Sequence, residues 1–400
     1  MQRFTLLLLS LVLLAPLGID LYLPTLPDIA DGLNTPVSTL QTTIPLFLLI
    51  MGLGQLIAGP LVDNVGRKPI ALIGLALYLV GSVVGATATG WYPFLLARII
   101  QGTAVCCTAV VAFSGVRDRL SGDDAARAYG FLNGALNIVP ALAPMLGGFL
   151  AEAWNWRAPF WFLAGYALFI GVLITLFLPE TRPAETQRVR GLPLRQYGAI
   201  LRQPRFLIFA LANAGALGMV LTYVSLAPEV LMNQGGLNAL QFSIAFGANG
   251  FWIMLVSMVV NKIIRKAGRP FCLATGGVAM LLGLLMLWAG VTLFPAALQH
   301  HWALYMFPVA VAVAGLAFIV GPATSYALEP YQQQAGVASA LAGFIQMAGG
   351  SSAGLAMMAL PLAEKSALGI MMLVGAALAF LAAYWTRKLH GTLQQVNCRA

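Results

Sequence analysis

The feature that most limits what this 400-residue chain can fold into is a series of apolar blocks, each about as long as a bilayer is thick. Twelve are legible, over residues 4–26, 40–62, 70–89, 93–116, 128–151, 158–178, 206–228, 241–261, 270–294, 302–326, 335–362 and 367–386. An α-helix of about 20 residues crosses the ~30 Å hydrocarbon core. Lipid cannot hydrogen-bond an exposed backbone, so blocks of this kind satisfy their own N–H and C=O groups as helices. Barrel strands would alternate apolar and polar residues, and these runs do not. The composition agrees: 60% of residues are hydrophobic and 9% charged, with a mean hydropathy of +0.86, against roughly 25% charged in a soluble domain. The expectation is an all-α membrane protein with twelve transmembrane helices.

The first block is longer than a secretory signal, whose apolar core runs about 7–15 residues. It continues to about Leu26 and ends in the run Tyr22-Leu23-Pro24-Thr25-Leu26-Pro27, so it reads as the first membrane helix. The four cysteines show no metal-ligand spacing, and no metal or other cofactor is expected. A net charge of +9 could point to nucleic acid, but its placement points to topology. With a cytoplasmic N-terminus, 19 of the 22 Lys and Arg residues fall on the cytoplasmic side. Only Arg157 and Lys365 fall outside, and Arg98 lies within a helix. Such asymmetry orients a polytopic protein and predicts that both termini are cytoplasmic. No nucleic-acid partner is expected; anionic lipid is.

The longest loop, from Pro179 to Arg205, follows the sixth block. It divides the chain into an N-terminal six-helix half (1–178), a cytoplasmic central loop (179–205) and a C-terminal six-helix half (206–400). The loops after the second and eighth blocks echo each other as "DNVGRKP" and "NKIIRKAGRP".

An ionisable residue at the centre of a membrane helix costs about 3 kcal/mol on insertion scales and is a functional candidate by default. Asp20 in the first block and Arg98 in the fourth stand out. Counted from the helix ends, each lies roughly 7 Å inside the outer boundary, so they can meet or face one aqueous cavity. The protonation of a carboxyl responds both to burial and to a nearby guanidinium, whereas arginine stays charged. Asp20 is therefore the candidate proton carrier, and a static ion pair is the plainer alternative. Glu229, after Pro228, reads as a rim residue, and the histidines at 300, 301 and 390 fall in loops or the tail.

Other features bear on movement and on the cavity. The loop "GPLVDNVGRKP" holds Gly59, Asp63, Gly66, Arg67 and Lys68; its glycines permit a tight turn. In the fifth block, Pro140 and Pro144 predict a kink, and Gly147 and Gly148 permit close helix approach. Polar or aromatic residues within blocks are candidate cavity linings: Tyr22, Asn133, Asn137, Asn213, Tyr223, Asn249, Trp252, Tyr305 and Gln346. Each such residue taken singly is more often a helix–helix hydrogen-bond partner.

At these residues the chain resembles the major facilitator superfamily, and within it the drug:proton antiporters. "GPLVDNVGRKP" resembles the signature loop between helices two and three, although Asn64 stands where arginine is common. "LARIIQGTA" resembles the helix-four motif, with Arg98 and Gly102 on its arginine and glycine. "APMLGG" is similar to the antiporter motif, with Ala143 at its usual first glycine. "IDLYLPTLP" is similar to helix one of the Bcr/CflA subfamily, and "VVAFSGVRDRL" and "LNGALNIVPALAP" to its MdtL branch. The resemblance implies a bacterial inner-membrane exporter of drug-like molecules, coupled to protons, needing no cofactor and acting as a monomer. It implies coupling roles for Asp20 and Arg98, and stabilisation of the outward-facing state by Asp63, Gly66, Arg67 and Lys68. Alternating access by two halves is the expected mechanism. A proton symporter or a dedicated metabolite transporter would use the same fold. An intramembrane enzyme would need a nucleophile–base pair or metal ligands within the helices, and none is visible. No Walker sequence points to ATP-driven pumping.

Overall fold

A computed structural model describes residues 2–120, 122–182, 191 and 193–397. Among them the secondary structure is helical, with no strand. Among the described residues, ten helices are long and apolar enough to cross a membrane. We label the passes α1 (Arg3–Leu33), α2 (Val37–Val65), α3 (Arg67–Ala86), α4 (Trp91–Arg119), α5 (Gly122–Ala153), α6 (Ala158–Phe177), α7 (Pro204–Gln234), α8 (Ala239–Ala267), α9 (Arg269–Thr292), α10 (Ala303–Tyr331), α11 (335–359) and α12 (Glu364–Thr386). The two outside the ten are α5, whose described apolar stretch is the shorter Ile138–Ala153, and the interrupted α11.

These helices are apolar nearly all round. Leu53, Ile57, Phe149, Leu168 and Phe177 are exposed large hydrophobics, as expected where the solvent is lipid. Their opposite faces pack through small residues. A Cβ on Gly74 would meet the main-chain oxygen of Ala104 at 3.1 Å, and one on Gly81 that of Ala97 at 3.1 Å, so α3 and α4 pack backbone to backbone.

The chain separates into two compact units: residues 1–192 with 231–251, and residues 193–230 with 252–400. Within each, the helix neighbours follow one plan. In the first, α3 packs on α4 and α6, and α1 on α4 and α5. In the second, α9 packs on α10 and α12, and α7 on α10 and α11. The partners repeat at an offset of six helices, the pattern that an internal duplication gives.

Several helices depart from regular geometry. In α1 the regular helix Leu14–Asp20 gives way to a 3-10 turn, Leu23–Thr25, before helix Leu26–Leu33. Pro24 has no N–H to give the main-chain carbonyl of Asp20, so the break is written into the sequence. α7 ends in a π-helical turn, Glu229–Gln234, and α11 contains another, Ile345–Gly349.

The first helix extends beyond its expected end near Leu26. Pro24 and Pro27 occupy first-turn positions, where proline is tolerated, and the helix closes at Asn34, which takes the left-handed conformation at φ 48°. Asp20 therefore has thirteen residues of chain between it and the helix end, about 20 Å if fully helical, rather than the 7 Å expected from the prolines.

Candidate functional site

Asp20 closes the helical segment Leu14–Asp20 and is buried. Among the described residues its carboxylate has no hydrogen-bond or ion-pair partner. At the break beyond it, the carbonyl of Tyr22 accepts from both the main-chain N–H (3.0 Å) and the hydroxyl (2.7 Å) of Thr25. The turn is thus held by its own backbone, and the aspartate is left unengaged.

Arg98 on α4 is fully buried and does not pair with Asp20. Its guanidinium carbon lies 4.5 Å from the ring centre of Tyr22 and 4.6 Å from that of Phe47. Desolvated cation–π contacts of this kind are worth about 2 kcal/mol or more. Its Nη1 donates to Gln101 Oε1 at 2.6 Å, while Nε and Nη2 have no partner among the described residues. Gln101 Nε2 donates to Ser82 Oγ (2.9 Å), Ser82 Oγ to the Tyr78 carbonyl (2.7 Å), and Tyr78 OH to the Leu14 carbonyl (3.0 Å). Buried hydrogen bonds thus link the Arg98 guanidinium through Gln101 and Ser82 to the Tyr78 main chain on α3, and the Tyr78 phenol separately reaches the helix that carries Asp20.

Tyr22 is the hinge of this arrangement. Two residues from Asp20, it stacks on Arg98, packs against Phe160 at 5.7 Å and Phe94 at 6.4 Å, and shares a 2.9 Å hydrogen bond with Thr43 on α2. Arg98 therefore reaches the helix of Asp20 through the ring of Tyr22, two residues along the chain, and not through the carboxylate.

α5 closes in on the same place. A Cβ on Gly147 would lie 1.7 Å from the Leu21 carbonyl oxygen, immediately after Asp20. A Cβ on Gly148 would meet Ser243 Oγ at 2.9 Å. Ser243 Oγ lies 2.8 Å from the Pro144 carbonyl and 2.7 Å from that of Ala239. Pro140 and Pro144 lie inside the helix, and Gly247 and Gly250 approach the backbone at Ala141 and Pro140. Asn133 and Asn137 are on α5, but their side chains lie outside the described residues.

The loop between α2 and α3 forms a second constellation. Gly66 turns the chain at φ 120°, where a side chain would be strained and its Cβ would come 2.7 Å from Glu180 Oε2. Arg67, the next residue, is buried; it pairs with Asp63 at 2.9 Å and Asp118 at 2.7 Å and donates to the Val62 carbonyl at 3.2 Å. Glu180 caps the start of α3, accepting from the main-chain N–H groups of Arg67 (2.9 Å) and Lys68 (3.1 Å), and from Arg182 (2.9 Å). Burial pushes the Glu180 carboxyl up, but these N–H groups outweigh it and hold the group below its usual range. Lys68 reaches the Thr175 carbonyl at 2.8 Å. Gly59 differs: nothing lies within 4 Å of a Cβ placed there.

Asp118 and Glu180 escaped the sequence reading. Their signals are slight: an acid between two arginines in "VRDRL", and one after a proline in "LPETR". The second unit holds a counterpart. Gly268 turns at φ 84°, and Arg269 begins α9. Arg269 lies 3.4 Å from Glu329, donates to Ser325 Oγ at 2.9 Å and stacks on Tyr326 at 4.0 Å. Arg205 also pairs with Glu329. The sequence echo of the two loops is thus a structural echo: left-handed glycine, helix-starting arginine, and an acid on the helix that follows.

The remaining cavity candidates fall apart into separate settings. Tyr223 and Tyr305 are buried with ring centres 6.2 Å apart, and Tyr305 OH reaches the Tyr223 carbonyl at 3.5 Å. Asn213 is buried and donates to Thr324 Oγ1 at 2.9 Å. Asn249 is buried, with both amide atoms unpaired among the described residues. Trp252 is 44% exposed, its indole N–H bonded to the Ala310 carbonyl at 2.9 Å. Gln346 sits in the π-helical turn of α11, a geometry frequent at functional sites.

The sequence matches the Major Facilitator Superfamily over residues 8–354. It is 34% identical over 351 residues to multidrug resistance protein MdtL of Klebsiella pneumoniae, covering 88% of this chain and 87% of that protein. It is 33% identical over 336 residues to a chloramphenicol resistance protein of Pseudomonas aeruginosa, covering 82% and 77%. The crystal structure of the human organic anion transporter MFSD10 superposes with a TM-score of 0.61 at 19% identity, covering 96% of this chain and 98% of that one. The last likeness is one of fold; the match across most of the chain and the relatives at one-third identity establish more, and this multi-pass membrane protein belongs to the Major Facilitator Superfamily of transporters.

Proposed function

We propose that the chain exports drug-like or amphiphilic small molecules in exchange for protons. The observation that carries this reading is Asp20: a buried carboxyl at the break of α1, without a protein partner among the described residues. A permanent structural charge would be paired; a carrier of protons has to be left available for them. The names of the similar proteins, multidrug resistance and chloramphenicol resistance, support the substrate class.

In this reading Asp20 takes up a proton from outside as substrate leaves, and releases it inside as substrate binds. Arg98 keeps its charge throughout; it biases the site and holds Tyr22 in place. Exchanging a neutral substrate for one proton moves one charge inward, worth ~2.3 kcal/mol per 100 mV of membrane potential. The parts that alternate are the halves 1–178 and 206–400, joined by 179–205, with Asp63, Gly66, Arg67 and Lys68 latching one of the two states. The same reading places the protein in a bacterial inner membrane, monomeric, with both termini cytoplasmic.

The test uses everted membrane vesicles with a lumen acidified by respiration and a pH-sensitive dye. Addition of chloramphenicol, florfenicol or a lipophilic cation should alkalinise the lumen only where the protein is present. Labelled substrate accumulating in intact cells along the proton gradient, with no response in vesicles, would overturn export in favour of symport.

A further inference from the structure

On the face of the first unit away from Asp20, the start of α1, the end of α4 and the chain leaving α6 enclose a groove of about 810 Å³. Its lining divides by chemistry. Arg3 and Arg119 form the basic part. Phe4, Leu6, Leu120 and Phe177 form the apolar part, and Leu6 and Phe177 are more than half exposed. Among the described residues neither arginine has a carboxylate partner, and the neighbouring acid Asp118 pairs with Arg67 and Arg117. Arg119 makes one 3.4 Å hydrogen bond, to the Glu180 carbonyl.

From this we propose that the groove is a binding site for an anionic phospholipid, its phosphate held by Arg3 and Arg119 and an acyl chain laid along Phe4, Leu6, Leu120 and Phe177. Two guanidinium groups suit a phosphate because their planar forks donate several charge-assisted hydrogen bonds at once. The apolar half decides for a lipid over a free phosphate: an ion would leave those side chains uncovered, whereas an acyl chain continues from the headgroup over them. The position is also apt, because the ends of α1, α4 and α6 meet here beside Glu180, which caps α3. A lipid seated here fastens the first unit to one leaflet next to the Arg67–Asp118–Glu180 cluster.

The test is native mass spectrometry of the purified full-length protein with phosphatidylglycerol and phosphatidylcholine added in equal amounts. The wild type should retain phosphatidylglycerol preferentially. Arg3→Ala with Arg119→Ala should remove that preference, by about fivefold for each arginine. Arg3→Lys with Arg119→Lys should keep most of it. Lys262→Ala with Arg265→Ala removes the same charge from exposed positions at the end of α8 and should leave the preference intact. No preference in the wild type, an undiminished one in the Arg3/Arg119 double alanine variant, or an equal loss in the α8 variant would each overturn the site. Should the double alanine variant fail to fold, a photoreactive benzoylphenylalanine at position 177 of the otherwise native chain decides the matter. It should cross-link phosphatidylglycerol over phosphatidylcholine, and equal labelling of the two overturns the proposal.

Discussion

Gly147 meets the main-chain carbonyl of Leu21 so closely that a Cβ on it would stand 1.7 Å from the oxygen. Two helices therefore touch backbone to backbone at the residue after Asp20, and α5 can shift against α1 only by sliding along that contact. Three glycines separate this role from general tolerance. Gly147→Ala forces the helices apart and should abolish drug-dependent proton flux, with overpacking of about 1–3 kcal/mol lowering the melting temperature. A Cβ on Gly148 would meet the Ser243 hydroxyl at 2.9 Å and the Ala239 carbonyl oxygen at 3.3 Å, far less close than at Gly147, so Gly148→Ala should be milder. Gly59→Ala, with nothing within 4 Å, should be neutral. Equal effects at all three would remove the special place of Gly147.

Asp20→Asn keeps the shape and removes the titratable group. It should insert and melt like the wild type yet lose substrate-induced lumen alkalinisation in everted vesicles. Normal proton flux in a well-expressed variant would refute the coupling role.

The cation–π stack gives Arg98 a geometry that charge alone cannot restore. Arg98→Lys places a compact ammonium between Tyr22 and Phe47 and loses the planar fork, so we expect transport to fall at least tenfold with expression retained. Tyr22→Phe keeps the ring and loses only the Thr43 hydrogen bond; it should cost about 1 kcal/mol of stability and leave most of the transport. Drug flux and thermal melting, measured on both variants, separate the two.

Asp118→Asn removes one of two carboxylates from a buried arginine. Breaking a buried pair costs about 3–5 kcal/mol; since Arg67 retains Asp63, the lower end is expected. Asp63→Asn takes away the more exposed partner and should cost less. Reversed order in thermal unfolding would show that Asp63, not Asp118, anchors the loop.

Glu180 makes the same cluster sensitive to acid. Its folded carboxyl is held below the ordinary value of 4.5. Its contribution to stability is therefore complete above that value and is lost as pH falls through the depressed folded value. Glu180→Gln should lower the melting temperature at pH 7. The gap between variant and wild type should then close as the pH is taken well below 4.5. A gap that is constant with pH would mean that the capping hydrogen bonds, not the charge, hold α3.

Much of this was legible in the residues. The apolar blocks predicted the helices, because lipid demands that every backbone group be satisfied within them. Asp20 and Arg98 stood out because charge inside an apolar block is costly. The echo of "DNVGRKP" and "NKIIRKAGRP" pointed to paired loops that the structure resolves as Gly66–Arg67 and Gly268–Arg269. The prolines of α1 misled over its end, since proline halts a helix or starts its first turn with the same chemistry. The partners were hidden. Asp118 lies 51 residues from Arg67, and Glu180 lies 113; no local spacing joins them. Gln101, Ser82 and Tyr78 likewise carry no local signal of the hydrogen bonds they make.

By itself, then, the sequence determined the solvent, the helices and the charges that have to be explained, because those follow from local length, polarity and the cost of burying charge. Only the tertiary structure decided which groups those charges meet. It set Arg98 against the faces of Tyr22 and Phe47 rather than on Asp20, and Glu180 at the start of α3. Such contacts are made by helices distant in sequence that close packing brings together, at places where a glycine lets two backbones touch.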